Sequence, residues 1–363
     1  MDVLIKNNII KKNKLIVDIG LYETKVLEAH YEAKRITVLS AKTISSKDIA
    51  DENGIDFSEL ASKINEEFSG SAKRDVSVSL PSELCESKII TIKNRKKSEI
   101  PKIIKKDYMT FGRANPITHI VDYAFLGMRE EDGDTVYYYF LSAVQKSVAA
   151  ELVSSFDKYK LKVKTIVSSI YNQICLSEVF FDEYEHLNRL FIDFGTNTTR
   201  IIAFSEGMAV YTRSIDIGFN SYVKSLFTSQ EEAGKPQILR ALTNVGEHTD
   251  LADNIIREFF EELNRDVYRK CVDDIDDYTI NDISRVMDLC SKNDLSVSKI
   301  YCTGNTIRGF DKKMSDKLDV VVEKVMFYSC EEKDGKGYVL EIDDIDFSGV
   351  YTNALGLCIY PML

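Results

Sequence analysis

Two aspartates, Asp18 and Asp193, each end an apolar run and are each followed two residues later by a glycine, Gly20 and Gly195. Each apolar run is typical of a buried strand, and each glycine marks a tight turn where the backbone approaches another group closely. Backbone N–H groups in such turns can bind phosphate oxygens, and a carboxylate beside them can hold the water shell of a Mg²⁺ ion. The pair of turns therefore predicts a polyphosphate site with a divalent metal. The alternative is that each aspartate only caps its own turn.

The two turns belong to an internal repeat that keeps its register over several predicted strands. A lone Asp-x-Gly triplet is a weak signal, but two copies in register across a longer stretch are a much stronger one. Each half therefore opens with a predicted three-stranded meander, and a cleft between two lobes would bring the two turns face to face. The aligned segments are Leu15–Gly20 with Leu190–Gly195, Thr24–Leu27 with Thr199–Ile202, and Arg35–Ser40 with Met208–Ile215.

The repeat predicts an α/β protein of two lobes, each interrupted by an inserted subdomain. A chain of 363 residues is long enough for two such lobes, and strands that alternate with helical stretches are typical of the α/β class. The predicted parts are a first lobe of residues 1–83 and 165–187, an αβ insert of 84–164, a second lobe of 188–220 and 298–363, and a mostly helical insert of 221–297.

Charge, cysteine spacing and hydropathy argue against several other classes of protein. A net charge of -11 repels a nucleic-acid backbone, so nucleic acid is not an expected partner. The 7 cysteines form no C-x-x-C pair, which favours reduced core thiols, and the 4 histidines lack the spacing of a zinc site. No stretch of about 20 apolar residues is present. We therefore expect a cytoplasmic protein that meets a membrane only through its partners.

These motifs resemble the phosphate and adenosine motifs of the actin-like ATPases. Nearly end to end, the chain is similar to the PilM family of type IV pilus assembly proteins, which is related to the FtsA family. The resemblance implies the two-lobed actin and Hsp70 fold, with an internal duplication and two inserted subdomains. The matching segments are Asp18–Lys25 for the first phosphate motif, Asp193–Thr199 and Tyr211–Asn220 for the second, and Cys302–Phe310 for the adenosine motif.

The resemblance also implies a ligand and a set of contacts for it. ATP is the expected ligand, and Mg²⁺ is expected to be held through water by Asp18 and Asp193. Lys25 is preferred over Arg200 as the cation that faces phosphate, because the family motif has lysine at that position. No catalytic residue is assigned. The residues expected to bind nucleotide are Asp18, Gly20, Thr24, Lys25, Asp193, Gly195, Thr196, Asn197, Thr198, Gly218, Gly304 and Asn305.

Several positions depart from the family pattern and weaken the expected activity. Leu21, Tyr22 and Glu23 stand where small hydroxyl residues are usual, and a carboxylate beside a triphosphate adds repulsion. Phe219 replaces the second of two glycines that usually precede Asn220. We therefore expect weak ATP binding and at most a weak ATPase, with a pseudo-ATPase as the alternative.

The function implied by the resemblance is that of a cytoplasmic scaffold in a type IV pilus or a related secretion or competence system. Such a scaffold would bind the cytoplasmic N-terminal peptide of a PilN-like membrane protein, contact pilus motor and platform proteins, and associate with further copies of itself. These partners would hold it at the inner face of the cell membrane. The aromatic strand Tyr137–Phe140 could line the peptide groove, although packing within the sheet is the more common use of such a pattern.

Two alternative functions remain open at this point. One is an FtsA-like cell-division protein, and the other is an ATP-dependent phosphotransferase of the same fold. A phosphotransferase needs a general base near the phosphate and the substrate hydroxyl, and the sequence offers no clear candidate.

Overall fold

The computed structural model divides the chain into two units. The first contains residues 1–180, 328–345 and 353–363, and the second contains 181–327 and 346–352. The residues that the structure describes are 12–32, 35–46, 49–51, 54–68, 74–93, 95, 98–108, 117–180, 187–226, 265–293, 295–304, 309–325, 339–342 and 351–360.

The first unit is built on a six-stranded sheet with the order β10-β6-β1-β2-β3-β16. Strands β1 to β3 form an antiparallel meander, and β6 and β10 continue the sheet in parallel beside β1. The elements of this unit are β1 (Lys12–Asp18), β2 (Glu23–Glu32), β3 (Arg35–Ser45), β4 (Ala50–Asp51), β5 (Gly54–Ile55), α1 (Phe57–Glu67), β6 (Arg74–Leu80), β7 (Cys85–Lys93), α2 (Ile100–Tyr108), β8 (His119–Glu131), β9 (Asp134–Gln145), α3 (Lys146–Lys158), β10 (Leu161–Ser168), α4 (Ser169–Phe180) and β16 (Val339–Ile342).

Helix α1 shows how local sequence fixes one layer of this unit. Its N-cap residue Asp56 accepts hydrogen bonds from the N–H groups of Ser58 and Glu59, at 2.8 and 3.0 Å, and such a cap stabilises a helix by about 1 kcal/mol. The buried side of α1, including Leu60 and Ile64, packs in one apolar core with the strands and with α3. Apolar residues at helical spacing therefore cover one face of the sheet.

The αβ insert forms a separate three-stranded antiparallel sheet with the order β7-β9-β8. Helix α2 packs Ile100 and Ile104 against Ile90, Tyr139 and Leu141 on one face of this sheet. The predicted groove strand has Tyr139 in this core, and Phe140 contacts Tyr171 with ring centroids 5.1 Å apart. These two aromatic side chains therefore serve packing within the first unit.

The second unit repeats the strand order of the first. Its five-stranded sheet has the order β13-β12-β11-β14-β15, with an antiparallel meander followed by two parallel strands. This is the order of β3-β2-β1-β6-β10, so the structure confirms the predicted internal duplication. The elements are β11 (Arg189–Phe194), β12 (Thr199–Ser205), β13 (Met208–Ile215), α5 (Phe219–Leu226), α6 (Arg265–Ser291), β14 (Lys299–Gly304), α7 (Phe310–Leu318) and β15 (Val321–Lys324).

One face of the second sheet is covered by α6 and α7. Ile283 and Val286 of α6 and Met314 of α7 share a fully buried core with Ile192 and Ile201 of the strands. The expected helical character of 221–297 holds for α5 and α6, while residues 227–264 lie outside the described part of the chain.

The C-terminal segment corrects the predicted division of the chain. Residues 298–363 are predicted to belong wholly to the second lobe, but β16 pairs in parallel with β3 at the edge of the first sheet. A last helix, α8 (Thr352–Ile359), also lies largely in the first unit. There Tyr31 donates a hydrogen bond to the carbonyl of Cys358 at 2.9 Å. The prediction failed because pairing between strands so far apart in sequence leaves no local signal.

Two further findings concern the whole described chain. None of its described helices combines the length and the apolar character that crossing a membrane requires. Five cysteines within the described ranges, Cys85, Cys175, Cys290, Cys302 and Cys358, are free thiols, and all five are buried.

Candidate functional site

The second Asp-x-Gly turn is the tip of a tight hairpin between β11 and β12. Phe194 pairs with Thr199, and the N–H of Gly195 donates to the carbonyl of Thr198 at 3.0 Å. Only Thr196 and Asn197 remain to form the tip. A Cβ atom on Gly195 would lie 2.6 Å from the Thr198 carbonyl oxygen, closer than van der Waals contact permits. The glycine is therefore required by the geometry of the turn.

A second glycine lies against the tip of this hairpin. A Cβ on Gly218 would lie 2.5 Å from the carbonyl oxygen of Thr196 and 2.7 Å from the carbonyl carbon of Asn197. The N–H groups of Phe219 and Asn220, at the start of α5, donate to the carbonyls of Gly195 and Thr196 at 3.1 and 2.8 Å. The helix α5 is thus bonded directly to the hairpin tip.

Gly304 completes the cluster at the end of β14. It pairs with Phe194 of the parallel strand β11 and has a φ of 86°, a left-handed conformation that favours glycine. A Cβ there would lie 2.4 Å from the carbonyl oxygen of Phe194 and 2.8 Å from Oδ1 of Asp193. We call Gly195, Gly218 and Gly304 the glycine cluster. All three allow backbone to pack where any side chain would collide.

Most residues of the predicted second phosphate motif therefore come together at one edge of the second sheet. The carboxyl ends of parallel strands are a common place for ligands in α/β folds, and this edge is formed by the ends of β11 and β14. Asn305 lies outside the described residues. The residues that the structure brings to this edge are Asp193, Gly195, Thr196, Asn197, Thr198, Gly218 and Gly304.

Asp193 is held in a buried ion pair with Arg200. The two residues face each other across β11 and β12, and Nη1 of Arg200 donates to Oδ2 of Asp193 at 2.9 Å. Their exposed fractions are 5% and 7%. The family motif favours Lys25 over Arg200 as the cation that faces phosphate, and the structure gives Arg200 a buried carboxylate partner. A hairpin with a two-residue tip would have predicted this ion pair from the sequence, because the short tip fixes the register that places Arg200 opposite Asp193.

The surroundings of Asp193 do not suit a Mg²⁺ ion in direct contact with its carboxylate. One carboxylate oxygen bonds the guanidinium, and the other lies against the backbone of Gly304. Within the described ranges there is no group of three or more His, Cys, Asp or Glu side chains placed to hold a metal. Mg²⁺ usually keeps several waters of its own, so the predicted Mg²⁺ held through water by Asp18 and Asp193 stays a prediction.

Helix α5 is tied to α6 and α7 by a polar network that is buried at Tyr222 and Asp276 and reaches the surface at Asp273. The hydroxyl of Tyr222 donates to Oδ1 of Asp276 at 2.8 Å, and Nζ of Lys313 donates to Oδ2 of Asp276 at 3.0 Å and to Asp273 at 2.6 Å. Burial raises the pKa of Asp276. Burial and the neighbouring Asp276 carboxylate raise the pKa of Tyr222. The network fixes the position of α5 and therefore of the loop at Gly218.

The first Asp-x-Gly turn repeats the geometry of the second. Asp18 is buried at the end of β1, and a Cβ on Gly20 would lie 2.5 Å from the carbonyl oxygen of Glu23. The corresponding distance at Gly195 is 2.6 Å, to the carbonyl oxygen of Thr198. The two turns are thus structurally equivalent members of the duplication.

Two predicted phosphate ligands of the first turn have partners within the fold. The hydroxyl of Thr24 is fully buried and hydrogen-bonds the hydroxyl of Ser46 at 2.7 Å. Nζ of Lys25 lies 3.5 Å from the carbonyl oxygen of Glu23 and 3.8 Å from its carboxylate. The Thr24 hydroxyl therefore stabilises the fold, and a phosphate would have to compete with Glu23 for Lys25. Their roles in nucleotide binding stay predictions.

Comparison with solved structures shows the same fold over the whole chain. The structure described as the PilM-PilN type IV pilus biogenesis complex is similar with a TM-score of 0.72 and 15% sequence identity, covering 98% of this chain and 100% of that one. The ethanolamine utilization protein EutJ from Carboxydothermus hydrogenoformans has a TM-score of 0.47 and 11% identity over 97% and 92% of the two chains. A Bacteroides thetaiotaomicron protein described as having an actin-like ATPase fold has a TM-score of 0.45 and 8% identity over 87% and 91%.

No family profile matches the sequence, and no curated protein does. The fold nevertheless agrees with the sequence analysis at two levels. The strand order is duplicated as the Asp-x-Gly repeat predicts, and the whole chain superposes on a PilM-PilN structure. The predicted α/β fold of the actin-like type is therefore confirmed.

Proposed function

We propose that this chain is a PilM-like, nucleotide-binding scaffold of a type IV pilus or related secretion platform. The observation that carries the proposal is the similarity to the PilM-PilN structure, which extends over 98% of this chain and 100% of that one. A partial match would support only a shared domain, whereas end-to-end coverage includes both inserted regions. The proposed partner is the cytoplasmic N-terminal peptide of a PilN-like membrane protein.

The glycine cluster supports nucleotide binding within this scaffold. Three glycines at the ends of β11, β14 and the start of α5 bring backbone together where side chains cannot fit. Such close backbone approach is what polyphosphate recognition requires, because the donors are main-chain N–H groups. ATP is the proposed ligand, and its phosphates would contact the hairpin tip at Thr196 and Asn197.

The same geometry favours weak binding and a structural role for the nucleotide. The N–H groups of Phe219 and Asn220 already donate to carbonyls of the hairpin, so an incoming phosphate cannot use them without breaking those bonds. Among the residues of this edge that the structure describes, no side chain is identified as a general base. We therefore propose a scaffold that senses nucleotide and turns it over slowly or not at all.

The remaining parts of the proposal follow from the proposed partner. A PilN-like peptide emerging from the membrane would hold the chain at the inner membrane face. Pilus motor and platform proteins, and further copies of this chain, are the other proposed contacts. The FtsA-like and phosphotransferase alternatives have no specific structural observation in their favour.

The test is a fluorescence-anisotropy titration of the purified chain into a labelled N-terminal peptide from the PilN-like protein encoded in the same genome. Saturable binding in the micromolar range, absent for a scrambled peptide of the same composition, is the expected result. A flat signal for both peptides at high micromolar protein would refute the proposal. Repeating the titration with and without ATP shows whether nucleotide and peptide binding are linked.

A further inference from the structure

The buried pair of Asp193 and Arg200 gives the predicted phosphate site an unusual distribution of charge. Both side chains are more than nine-tenths buried, and a single hydrogen bond of 2.9 Å joins Nη1 to Oδ2. A buried carboxylate next to a triphosphate would repel it unless a cation intervened. Here the intervening cation is part of the chain, so the pair is neutral without any metal ion.

The guanidinium lies directly against the turn that phosphate would approach. Its Nη1 atom is 3.5 Å from the position that a Cβ would take on Gly195. The pair therefore sits beneath the turn, with Gly195 on the side of Arg200 and Gly304 on the side of Asp193.

A second observation shows that Arg200 has unused capacity for hydrogen bonding. Its Nε atom is buried and has no hydrogen-bond partner among the described residues. A buried N–H donor without a partner is unfavourable, and native proteins rarely leave one. Nε therefore remains available as a donor on the same guanidinium whose Nη1 lies beside Gly195. Guanidinium groups bind phosphate oxygens through several donors at once.

We propose that Arg200 takes the place of a divalent metal, so that phosphate groups bind at the glycine cluster without Mg²⁺. This rests on the proposed nucleotide binding and departs from the Mg²⁺ expected from the sequence. A Mg²⁺ ion in contact with Asp193 would be forced close to a guanidinium that is already bonded to that carboxylate. The metal ion and the guanidinium would repel each other in a buried environment. The guanidinium is always present, because it belongs to the chain.

The test is calorimetric titration of ATP into the purified chain, once in excess EDTA and once in millimolar Mg²⁺. We expect the dissociation constant to differ by less than about threefold between the two buffers, since a factor of ten would correspond to about 1.4 kcal/mol. Arg200→Gln should weaken binding in EDTA by roughly tenfold or more, the loss expected for a hydrogen bond to a charged group. Arg200→Lys, which keeps the charge, should lose less.

Controls separate ligand binding from stability. Arg200→Gln leaves Asp193 buried and unpaired, so the double variant Asp193→Asn with Arg200→Gln removes both charges and should unfold at nearly the temperature of the wild type. That double variant should still bind ATP at least about tenfold more weakly in EDTA. Arg285→Gln is the control, because Arg285 lies on α6 and pairs with Asp282, outside the glycine cluster and outside both phosphate motifs.

The outcomes also distinguish this inference from the proposed function. Binding that needs Mg²⁺, or that tightens about tenfold or more when Mg²⁺ is added, would overturn the role of Arg200 and leave nucleotide binding intact. Binding in EDTA that Arg200→Gln leaves unchanged would overturn it as well. The absence of binding in both buffers would refute the nucleotide site itself, while the peptide titration would still test the scaffold.

Discussion

Replacing Gly304 by alanine should destabilise the second unit far more than the same replacement at Gly309. The two glycines have nearly equal φ angles, 86° and 84°, so the cost of a left-handed alanine is shared, at about 1–2 kcal/mol. The two positions differ in the room that each leaves for a Cβ atom. A Cβ at position 304 meets the Phe194 carbonyl oxygen at 2.4 Å, whereas nothing lies within 4 Å of a Cβ at position 309.

The difference in the free energy of unfolding between the two variants measures the effect of the close packing of β14 against β11. Backbone in the middle of a sheet cannot move aside cheaply, and overpacking typically costs about 1–3 kcal/mol. We expect Gly304→Ala to lower the free energy of unfolding by about 2–5 kcal/mol and Gly309→Ala by about 1–2 kcal/mol. The assay is urea denaturation followed by circular dichroism. Equal losses in the two variants would refute the packing described for the glycine cluster.

Three further predictions concern buried polar groups. Tyr222→Phe should destabilise the chain by about 1–3 kcal/mol, because Asp276 loses a buried hydrogen bond; urea denaturation measures the loss. Thr24→Val should cost about 1–2 kcal/mol by leaving the Ser46 hydroxyl without this partner, and calorimetry should show ATP affinity unchanged. Burial raises the pKa of Cys302 from an ordinary 9.0 to about 12. The buried thiol therefore contributes fully to stability below pH 9.0, and this contribution is lost as the pH rises toward about 12. The loss is about 1.4 kcal/mol per pH unit. Urea denaturation at pH 8, 9 and 10 measures it.

Each of these predictions has an outcome that contradicts it. A Tyr222→Phe variant as stable as the wild type would mean that Lys313 alone satisfies Asp276. A Thr24→Val variant of normal stability with weakened ATP binding would assign Thr24 to the ligand and not to the fold. For the thiol, Cys302→Ala is the control, because its stability should fall less steeply than that of the wild type above pH 9.0; identical slopes would contradict the burial argument.

The charges of the first turn bear on how strongly it could hold a phosphate. Glu23 was interpreted as repulsive toward a triphosphate, and the structure also places its carboxylate 3.8 Å from Nζ of Lys25. Glu23 is a third exposed and Lys25 is less so, so solvent screens the pair and its contribution to stability is small. A phosphate at this turn would have to displace Glu23 to reach the lysine, so the pair bears on the proposed nucleotide binding more than on stability.

The sequence was most informative where the signal is local. Leu190–Phe194 is a continuous apolar run ending in Asp-x-Gly, and it forms a strand buried on both faces, followed by a two-residue hairpin tip. The same pattern at Leu15–Gly20 gives the equivalent turn. Because strand, turn and glycine act within a few residues of one another, periodicity and turn chemistry suffice to predict them.

The features that could not be predicted depend on contacts between distant segments. The pairing of Val339–Ile342 with β3 joins residues from opposite ends of the sequence. No local pattern in either segment indicates which strand it pairs with. The hydrogen bond between Thr24 and Ser46 could be predicted only if the register between β2 and β3 were known. Register is set by the folded sheet as a whole.

Hydrogen–deuterium exchange with and without saturating ATP is the most direct test of a nucleotide site at the glycine cluster. The amides of Thr196 and Asn197 should exchange more slowly when ATP is bound. Residues 119–131 of β8 serve as the internal reference and should not change. Protection at the hairpin tip is the predicted result, because the N–H groups of Phe219 and Asn220 are already bonded within the fold. Unchanged exchange there at saturating ATP, or protection only elsewhere in the chain, would contradict it.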